Sequence, residues 1–503
     1  MDPTDISKRR FVKAIGVATL ATTIKPSIVV ARQRQYDFLI IGAGTAGLPA
    51  AIFAARRGAS VLLVDSAQDI GGTLHLAYGM VSGAGTLAQA KRGIVDTPDQ
   101  HFDDIMRLSN GKADPSITRL VADNAGDTLN WLLDAGLTPL AEHPITGLSG
   151  RPGYSVARYF WDKDRGRAIL AILRRQLAPL VATGHVKLQL GTRISELITD
   201  AAGVVTGARA RVGGNDLVVS AKRTLLATGG YAMNPTLFER LVGRPAYAGK
   251  SYPFSQGDGL NMAVATGGTL RGRALHRPGT GSILTSDQFE GEVYARFNTR
   301  PEQRQPWEIW VNDTGQRFVR EDAPEIHDRE QALASQPRLR FRIIFDHNIL
   351  SAAPPGIPDW TREKLLSHFG THSMFVTADS LASLAAKIGV DGTALKRTVD
   401  DYNAAVVGGR DSLGRKHLPQ PISTAPYYAI TILGNSATSS AGVVTDNRLR
   451  VLRGDGSPIE NLYAAGEVLG SGATMGDAFV PGMMLTPAFT LGRLLGGQLI
   501  SFG

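Results

Sequence analysis

The stretch DFLIIGAGTAGLPAAIFAARRGASVLLVDS, residues 37–66, decides the fold. It begins with the apolar run FLII, which is typical of a strand buried on both faces. Gly42, Gly44 and Gly47 follow in G-x-G-x-x-G spacing, and an Ala-rich segment that favours a helix comes next. Glycine at these three places allows a tight turn, a close approach of the backbone to a pyrophosphate, and close packing of the helix on the strand. The stretch therefore predicts a strand–turn–helix unit that binds a dinucleotide.

The second half of the same stretch supports this prediction. The apolar run VLLV ends in Asp65, 18 residues after Gly47. A carboxylate at this place in a βαβ unit accepts hydrogen bonds from the ribose of a dinucleotide, while the helix N-terminus faces the diphosphate. The alternative, an ordinary glycine-rich turn, explains neither the second strand nor the acid.

Composition sets limits on the class of protein. The chain has 503 residues, of which 43% are hydrophobic and 20% charged, as in a globular protein of two or more domains. It contains no cysteine, which excludes disulfides, thiolate nucleophiles, cysteine-ligated iron–sulfur clusters and c-type haem. The net charge of +9 is spread along the chain and favours a solvated basic surface over steering of an anionic partner. We predict no nucleic-acid partner and no metal site.

Residues 1–31 have the features of an export signal. The segment SKRRFVKAIGVATLATTIKPSIVVA has a basic start, a short apolar stretch and a small residue, Ala31, at a suitable cleavage point. Its start, SKRRFVK, resembles a twin-arginine signal with lysine in place of the first arginine. The eleven uncharged residues between Lys13 and Lys25 are too few to cross a bilayer as a helix. We expect export to the periplasm and no stable membrane span; the alternatives are a disordered basic tail and a cytoplasmic protein.

The rest of the chain changes character twice. Residues 32–275 carry repeated glycine motifs, residues 276–430 are richer in proline, arginine and aromatic side chains, and residues 431–503 return to the first pattern. We predict an α/β fold in which a Rossmann-like nucleotide-binding domain is interrupted by an α+β capping domain, residues 276–430. Such an insertion places a ligand cleft at the domain interface.

Six motifs, in a characteristic order, point to a known superfamily. They are GAGTAG with Asp65, GGT at 71–73, ATGG at 227–230, GDG at 257–259, VNDTGQRFVRED at 311–322 and LYAAGE at 462–467. With them the chain resembles the fumarate reductase and succinate dehydrogenase flavoproteins, which include urocanate reductase-like proteins, 3-ketosteroid dehydrogenases and cyclic-ketone desaturases. The resemblance implies that the cofactor is FAD rather than NAD, with an FAD-binding domain in two parts, residues 32–275 and 431–503.

The resemblance also implies which residues contact FAD. Asp65 would bind the adenosine ribose, and Asp258 and Glu467 would lie near the flavin and its ribityl chain. Backbone N–H groups of Leu485 and Thr486 would lie near the flavin carbonyl, where a helix N-terminus stabilises negative charge. The other implied contacts are Gly42, Ala43, Gly44, Thr45, Ala46 and Gly47 at the diphosphate, Ser66 beside Asp65, Gly71, Gly72 and Thr73 along the cofactor, Ala77, Gly79 and Met80 near the flavin, and Ile194, Ala227, Thr228 and Gly229 near the adenine.

The capping region supplies candidate acids and bases. DAPEIHDREQALAS falls where the reductases carry an arginine that gives a proton to carbon while the flavin gives a hydride, and Arg329 fits that position. Glu325 or His327 is the alternative, because the pKa of either is more ordinary for a base. A third interpretation is a solvated helix start with capping charges. His276, in LHRPGTG, matches the family's histidine at the cap entrance or serves as a structural hydrogen-bonding residue.

Two departures from the family pattern bear on the substrate. Fumarate reductases clamp substrate carboxylates with a histidine and an arginine, and this chain has Thr438 or a neighbour and Phe479 in their places. Uncharged side chains cannot repay the desolvation of a dicarboxylate. We therefore do not expect fumarate or succinate as the substrate.

A neighbouring segment points to ketones instead. VPGMMLTPA resembles a loop of the ketosteroid dehydrogenases in which the backbone N–H matching Gly482 binds the substrate carbonyl. A donor there would stabilise enolate charge and acidify the α-hydrogen. The steroid enzymes also carry a tyrosine near this loop, where this chain has Ala478 and Phe479. Tyr154 or Tyr159 would supply a phenol from elsewhere, or would be a buried core residue.

Together these patterns predict an FAD oxidoreductase that acts on a carbon–carbon bond next to a carbonyl. The favoured direction is α,β-dehydrogenation of a cyclic or bulky ketone. A cap base (Glu325, His327 or a tyrosine) would remove the α-proton, flavin N5 would take the β-hydride, and Gly482 would hold the oxyanion. One alternative is reduction of an enone or enoate with Arg329 as the acid, and another is a non-catalytic flavin-binding protein. We expect a small-molecule carbonyl substrate and a separate electron acceptor or donor.

Overall fold

The computed structural model describes residues 35–149, 151–212, 215–247, 251–436 and 438–502. The export signal predicted for residues 1–31 lies outside them. The strands are β1 Phe38–Ile41, β2 Val61–Val64, β3 Val81–Ser82, β4 Tyr159–Phe160, β5 Val186–Gln189, β6 Arg193–Thr199, β7 Val205–Val212, β8 Asn215–Ser220, β9 Thr224–Leu226, β10 Leu270–Arg271, β11 Ser282–Leu284, β12 Val293–Arg296, β13 Ile309–Val311, β14 Arg340–Asp346, β15 Phe375–Ala378, β16 Tyr427–Leu433, β17 Gly442–Val443, β18 Arg450–Leu452 and β19 Pro458–Ala464.

The α-helices begin and end between these strands. They are α1 Gly47–Arg56, α2 Leu87–Ala90, α3 Pro98–Leu108, α4 Pro115–Asp134, α5 Gly166–Ala182, α6 Pro235–Val242, α7 Asp258–Ala265, α8 Ile326–Ala334, α9 His347–Ala352, α10 Arg362–Leu366, α11 Leu381–Ile388, α12 Gly392–Gly408, α13 Gly472–Met475 and α14 Thr486–Leu494. Among the described residues, no helix has the length and hydropathy of a membrane span.

The main sheet has the strand order β18-β19-β9-β1-β2-β5. All neighbours in it are parallel except β18, which pairs antiparallel with β19. Every residue of β1 and β2 is buried, because helices cover both faces of a parallel sheet. The predicted α/β class and the β1–α1–β2 unit are confirmed. The carboxyl ends of β1, β2, β9 and β19 meet at one edge, which is where ligands bind in such folds.

A second sheet is antiparallel and has its own core. Its order is β12-β11-β16-β14-β13, and β15 also pairs with β16. A hydrophobic cluster drawn from residues 247–433 packs on it, with Trp310 stacked on Phe341 at 4.9 Å between ring centroids. We propose that this second core is the capping domain. The boundary predicted between residues 430 and 431 falls inside β16, so the proposed capping domain would extend to the end of that strand.

Candidate active site

A cleft lies at the carboxyl ends of β1, β2, β9 and β19 and has an empty volume of about 880 Å³. We call it the nucleotide cleft. Fifteen of the residues implied for FAD line it, and they come from eight separate segments of the chain. They are Gly42, Gly44, Thr45, Ala46, Asp65, Ser66, Gly72, Thr73, Ile194, Ala227, Thr228, Gly229, Asp258, Glu467 and Leu485.

The glycine turn after β1 has the geometry that its spacing predicts. Gly42 has φ +111°, and a Cβ there would lie 2.2 Å from the carbonyl oxygen of Ala227. A Cβ on Gly47 would lie 1.8 Å from the Gly42 carbonyl oxygen, so α1 packs directly on the turn. Neither position tolerates a side chain. Gly47 itself does not line the cleft, which corrects its implied contact with the diphosphate.

The centre of the turn faces the cleft with unpaired donors. A Cβ on Gly44 would meet only the Gly72 Cα within 4 Å, at 3.8 Å. The N–H groups of Gly44, Thr45 and Ala46 form no hydrogen bond with any described part of the chain. Unpaired N–H groups at a helix N-terminus suit an anionic diphosphate, so the turn fits FAD.

Asp65 lies at the end of β2 and is held by backbone donors. Its Oδ2 accepts from the Ala43 N–H at 2.6 Å, and its Oδ1 accepts from the Ala67 N–H at 2.8 Å. Burial raises the pKa of this carboxyl, and the two backbone hydrogen bonds oppose that rise. Each oxygen keeps a further lone pair, so Asp65 can accept from ribose hydroxyls as predicted. The N–H of Ala43 is taken by Asp65, and Ala43 does not line the cleft, which corrects its implied role at the diphosphate.

The two acids expected near the flavin lie in different places. Asp258, at the start of α7, is paired with Arg193 at 2.8 and 2.6 Å, next to Ile194 and so at the adenine end. Glu467 is half-buried and accepts from the Ser439 N–H at 2.8 Å. Burial raises the pKa of Glu467, and this hydrogen bond lowers it. Of the two acids, Glu467 also lines the adjoining apolar cleft, and Asp258 does not.

The start of α14 differs from the prediction. The N–H groups of Leu485 and Thr486 both donate to the carbonyl oxygen of Gly482, at 3.2 and 3.1 Å. They are not free to meet a flavin carbonyl. Ala488 is a free donor close to this turn, because its N–H has no hydrogen bond with the described chain and the residue lines the nucleotide cleft. No sequence pattern indicates this difference, because it comes from two hydrogen bonds to one carbonyl oxygen in the turn before the helix. Gly71 also lies off the cleft, packed against Leu170.

A second cleft continues the first and is mostly apolar. We call it the apolar chamber; its empty volume is about 1530 Å³. It shares Thr73, Gly466, Glu467 and Leu485 with the nucleotide cleft. Of the candidates named from sequence, Ala77, Gly79, Met80, Tyr159, Thr438, Phe479 and Gly482 line the chamber, and Leu76, Tyr78, Tyr252, Arg296, Met483 and Met484 are residues that sequence reasoning missed.

The chamber carries little charge. Arg296 and Glu467 are the only acidic or basic side chains among the described residues that line it. Three large apolar or aromatic side chains at its wall are exposed: Leu76 by 47%, Tyr78 by 55% and Met484 by 39%. The chamber includes the implied flavin contacts Ala77, Gly79 and Met80, so a substrate would share it with the flavin, and its apolar wall suits an uncharged substrate.

Gly482 presents a fixed donor in this chamber. Its N–H has no partner in the described chain, and its φ of +77° and a Cβ position 2.5 Å from the Ser82 nitrogen exclude any side chain. The preceding carbonyl, on Pro481, accepts from the hydroxyls of Tyr154 and Ser82, the latter at 2.9 Å. The C=O and N–H of a trans peptide point in opposite directions, so these two hydroxyls direct the Gly482 N–H away from themselves.

Two tyrosines near this loop have different roles. Tyr159 lines the chamber, and its hydroxyl donates to the Met80 sulfur at 2.7 Å. Tyr154 is buried behind the loop, where it holds Pro481. Burial raises the pKa of both phenols above the ordinary value of 10. Tyr159 is the only predicted catalytic side chain in the chamber.

The acids and bases expected from the cap lie elsewhere. Glu325 and His327 line a separate polar cleft, which we call the outer cleft, and His327 shares a 3.2 Å hydrogen bond with Asn110. Arg329 is 1% exposed and lines neither the outer cleft nor the apolar chamber. Its Nη1 donates to the Ala323 carbonyl oxygen. The structure does not bring these three residues to the apolar chamber, because α8 begins in the outer cleft and Phe479 stands between it and the chamber.

His276 occupies a small cavity of its own. Its Nδ1 lies 3.5 Å from the Ser436 hydroxyl, and its ring meets Phe238 edge-on at 5.1 Å. Burial, with a smaller contribution from Arg277, lowers the pKa of His276 to about 4. Thr438 and Ser471 line both this cavity and the apolar chamber. His276 is therefore a neutral neighbour of the chamber and does not line it.

The clefts agree with comparisons to known proteins. A family described as FAD binding domain matches residues 37–477. The chain belongs to this family. The predicted cofactor, FAD, is confirmed, and so is the fumarate reductase and succinate dehydrogenase superfamily. This flavoprotein is an oxidoreductase that acts on CH–CH or C=C groups.

Its relatives include both reductases and dehydrogenases. It is 28% identical over 477 residues to a fumarate reductase (cytochrome) of Shewanella frigidimarina, covering 93% of this chain and 77% of that one. It is 26% identical over 573 residues to a 4-oxocyclohexanecarboxylate 2-dehydrogenase of Sinomonas cyclohexanicum, covering 93% and 94%. A solved flavocytochrome c3 fumarate reductase in an open conformation is 25% identical, with a TM-score of 0.67 and coverage of 93% and 78%.

Proposed function

We propose that this flavoprotein dehydrogenates an uncharged cyclic or bulky ketone at its α,β carbon–carbon bond. The observation that carries the proposal is the unpaired, fixed N–H of Gly482 in an apolar chamber that adjoins the nucleotide cleft. A fixed donor at the place where oxyanion charge develops stabilises that charge. The 4-oxocyclohexanecarboxylate 2-dehydrogenase relative, whose name describes dehydrogenation of a cyclic ketone, supports the same reading.

Several residues of the chain would each have a role in the proposed dehydrogenation. The Gly482 N–H donates to the ketone oxygen and holds the enolate that forms when the α-proton leaves. Tyr154 and Ser82 keep that donor in place through Pro481. Bound FAD supplies a hydride acceptor, which is the chemistry this cofactor brings to CH–CH oxidation. The cleft residues from Gly42 to Ala46 would hold its diphosphate.

Tyr159 is our candidate for the proton-transfer group. It is the titratable candidate from the sequence that lines the chamber, and its hydroxyl has only the weak acceptor Met80 Sδ as a partner. Dehydrogenation needs it as phenolate, to accept the α-proton. Because burial raises its pKa, the phenolate is scarce at neutral pH, and dehydrogenation would be faster in alkaline solution.

The same observation favours a second candidate, reduction of an enone. A phenol that stays protonated is ready to give a proton to carbon, and the Gly482 N–H would polarise the enone oxygen equally well. Tyr159 then replaces Arg329 as the acid. We keep dehydrogenation as the preferred direction, in line with the name of the 4-oxocyclohexanecarboxylate 2-dehydrogenase relative.

We further propose that the electrons pass to a separate carrier and that the chain works in the periplasm. The sequence contains no cysteine, so this chain cannot hold a cysteine-ligated iron–sulfur cluster, which supports a separate electron carrier. The export signal predicted for residues 1–31 supports the periplasm.

The deciding experiment is anaerobic reduction of the holoprotein flavin by a panel of saturated cyclic ketones. We expect loss of visible flavin absorbance with at least one ketone, and a much slower loss in Tyr159→Phe, with Tyr78→Phe as a matched control at the chamber mouth. If no ketone bleaches the flavin, but reduced enzyme is reoxidised by an enone, the reductase candidate replaces the dehydrogenase.

A further inference from the structure

Phe479 forms a wall between two environments of opposite character. It lines the apolar chamber on one side and the outer cleft on the other. The outer cleft is polar and carries Arg107, Arg151 and three carboxylates, those of Glu325, Asp328 and Glu330. A substrate in the chamber is therefore separated from these charges by a single aromatic ring.

Two guanidinium groups lie against that ring. The guanidinium carbon of Arg151 is 4.9 Å from the Phe479 ring centroid, and that of Arg277 is 5.6 Å away. Both distances are within cation–π range. The two arginines share one counter-ion, since each donates an Nη1 to the same oxygen of Glu330, at 3.1 and 2.9 Å.

This trio has an excess of one positive charge in a poorly solvated place. Glu330 is 1% exposed and each arginine side chain is 15% exposed. Burial lowers the pKa of Arg151, although Glu330 opposes that effect. Each arginine donates only its Nη1 to Glu330, so its remaining guanidinium N–H groups could form charge-assisted hydrogen bonds with a carboxylate that reached them.

We propose that Phe479 restricts the chamber to uncharged substrates by covering Arg151 and Arg277. The inference rests on the proposed function in that it names the class of substrate, and it assigns a hidden carboxylate site to the arginine pair. Removal of the ring would leave a space next to both guanidinium groups. A carboxylate in the chamber would then accept bidentate hydrogen bonds from a guanidinium group, which the Phe479 ring blocks in the native protein.

The test is an equilibrium titration of oxidised holoprotein with fumarate, followed through the visible flavin spectrum. We expect no saturable change in the native protein at millimolar fumarate. Phe479→Ala should bind fumarate at least about tenfold more tightly, because it gains a charge-assisted contact. Phe479→Leu, which keeps an apolar cover, should behave as the native protein does. The double variant F479A/R151Q should lose the gain.

Two results would overturn the proposal. One is equal fumarate affinity in Phe479→Ala and the native protein, and the other is undiminished affinity in F479A/R151Q. FAD content and Tm are measured for each variant, and Phe479→Val replaces Phe479→Ala if the latter does not load FAD. The titration involves no turnover. Its failure would leave the ketone experiment intact, and failure of ketone oxidation would leave a positive titration standing.

Discussion

The hydroxyl of Tyr154 donates to the carbonyl oxygen of Pro481 across 327 residues of sequence. Ser82 donates to the same oxygen at 2.9 Å. This contact sets the orientation of the next peptide N–H, on Gly482, although Tyr154 itself does not line the apolar chamber. Tyr154 is therefore a positioning residue, and its removal should affect the reaction more than it affects substrate binding.

Tyr154→Phe should lower kcat for a ketone by about tenfold, the value of one neutral hydrogen bond, with a smaller change in KM. The donor would still be present but less firmly aimed. Steady-state kinetics on FAD-loaded protein measures this. Tyr231→Phe, another buried tyrosine whose hydroxyl accepts from the Ala441 N–H, is the matched control. A loss of the same size in both variants would point to general destabilisation and contradict the positioning role.

Gly42→Ala should abolish FAD binding. The added methyl group would lie 2.2 Å from the Ala227 carbonyl oxygen, and φ +111° is unfavourable for alanine. The turn would have to open, which moves the three unpaired donors that follow it. The ratio of flavin to protein after purification measures the effect. Gly58→Ala, at a positive-φ glycine with no atom within 4 Å of its Cβ position, controls for backbone strain alone. Normal FAD content in Gly42→Ala would contradict the prediction.

The rate of dehydrogenation should rise with pH to at least pH 10. Tyr159 must be a phenolate to accept a proton, and burial raises its pKa above 10, so the active form grows throughout this range. Single-turnover flavin reduction by a ketone gives the profile. Tyr159→Phe should remove the alkaline rise. A profile that is level from pH 7 to 10 in the native protein would exclude this phenol as the base.

Stability should fall as the pH is lowered below about 6.5, the ordinary pKa of histidine. His101 is fully buried, both ring nitrogens lack a partner in the described chain, and burial lowers its pKa to about 3. The unfolded chain therefore binds a proton between pH 6.5 and 3 that the folded protein refuses. Thermal unfolding between pH 7 and 5 tests this. His101→Phe should make Tm less dependent on pH, whereas His185→Phe, at an exposed site, should not.

Local patterns predicted much of this molecule. The strand, glycine turn, helix and acid of residues 37–66 act over short distances, and each takes its predicted place. The recognisable sequence of its loop pointed to Gly482, and Gly482 lines the chamber. The cap residues Glu325, His327 and Arg329 were expected at the substrate, and none of them lines the chamber. Their position depends on how α8 packs against Phe479, which comes from a distant segment, and no short pattern encodes that contact.

The same limit explains the residues that were missed. Ser82 was missed, and Tyr154 was named only as a phenol for the substrate or a core residue. Both act on Gly482 because β3 and the loop before β4 fold against the last helix, and no local pattern indicates that contact. Ala488, rather than Thr486, has an unpaired N–H, because the Thr486 N–H donates to the Gly482 carbonyl oxygen. Such a change is smaller than the precision with which helix starts are predicted.

The exposed rim of the apolar chamber has a consequence for how this chain could acquire new substrates. Gly482 and its supports are locked by sterics and hydrogen bonds, whereas Leu76, Tyr78 and Met484 face solvent and touch none of them by any hydrogen bond in the described chain. The residues that hold the oxyanion donor and the rim residues around the substrate are thus separate positions of the chain. Libraries that vary only these three rim positions should shift the range of ketones accepted while the oxyanion donor stays intact, which makes this scaffold a convenient starting point for directed evolution.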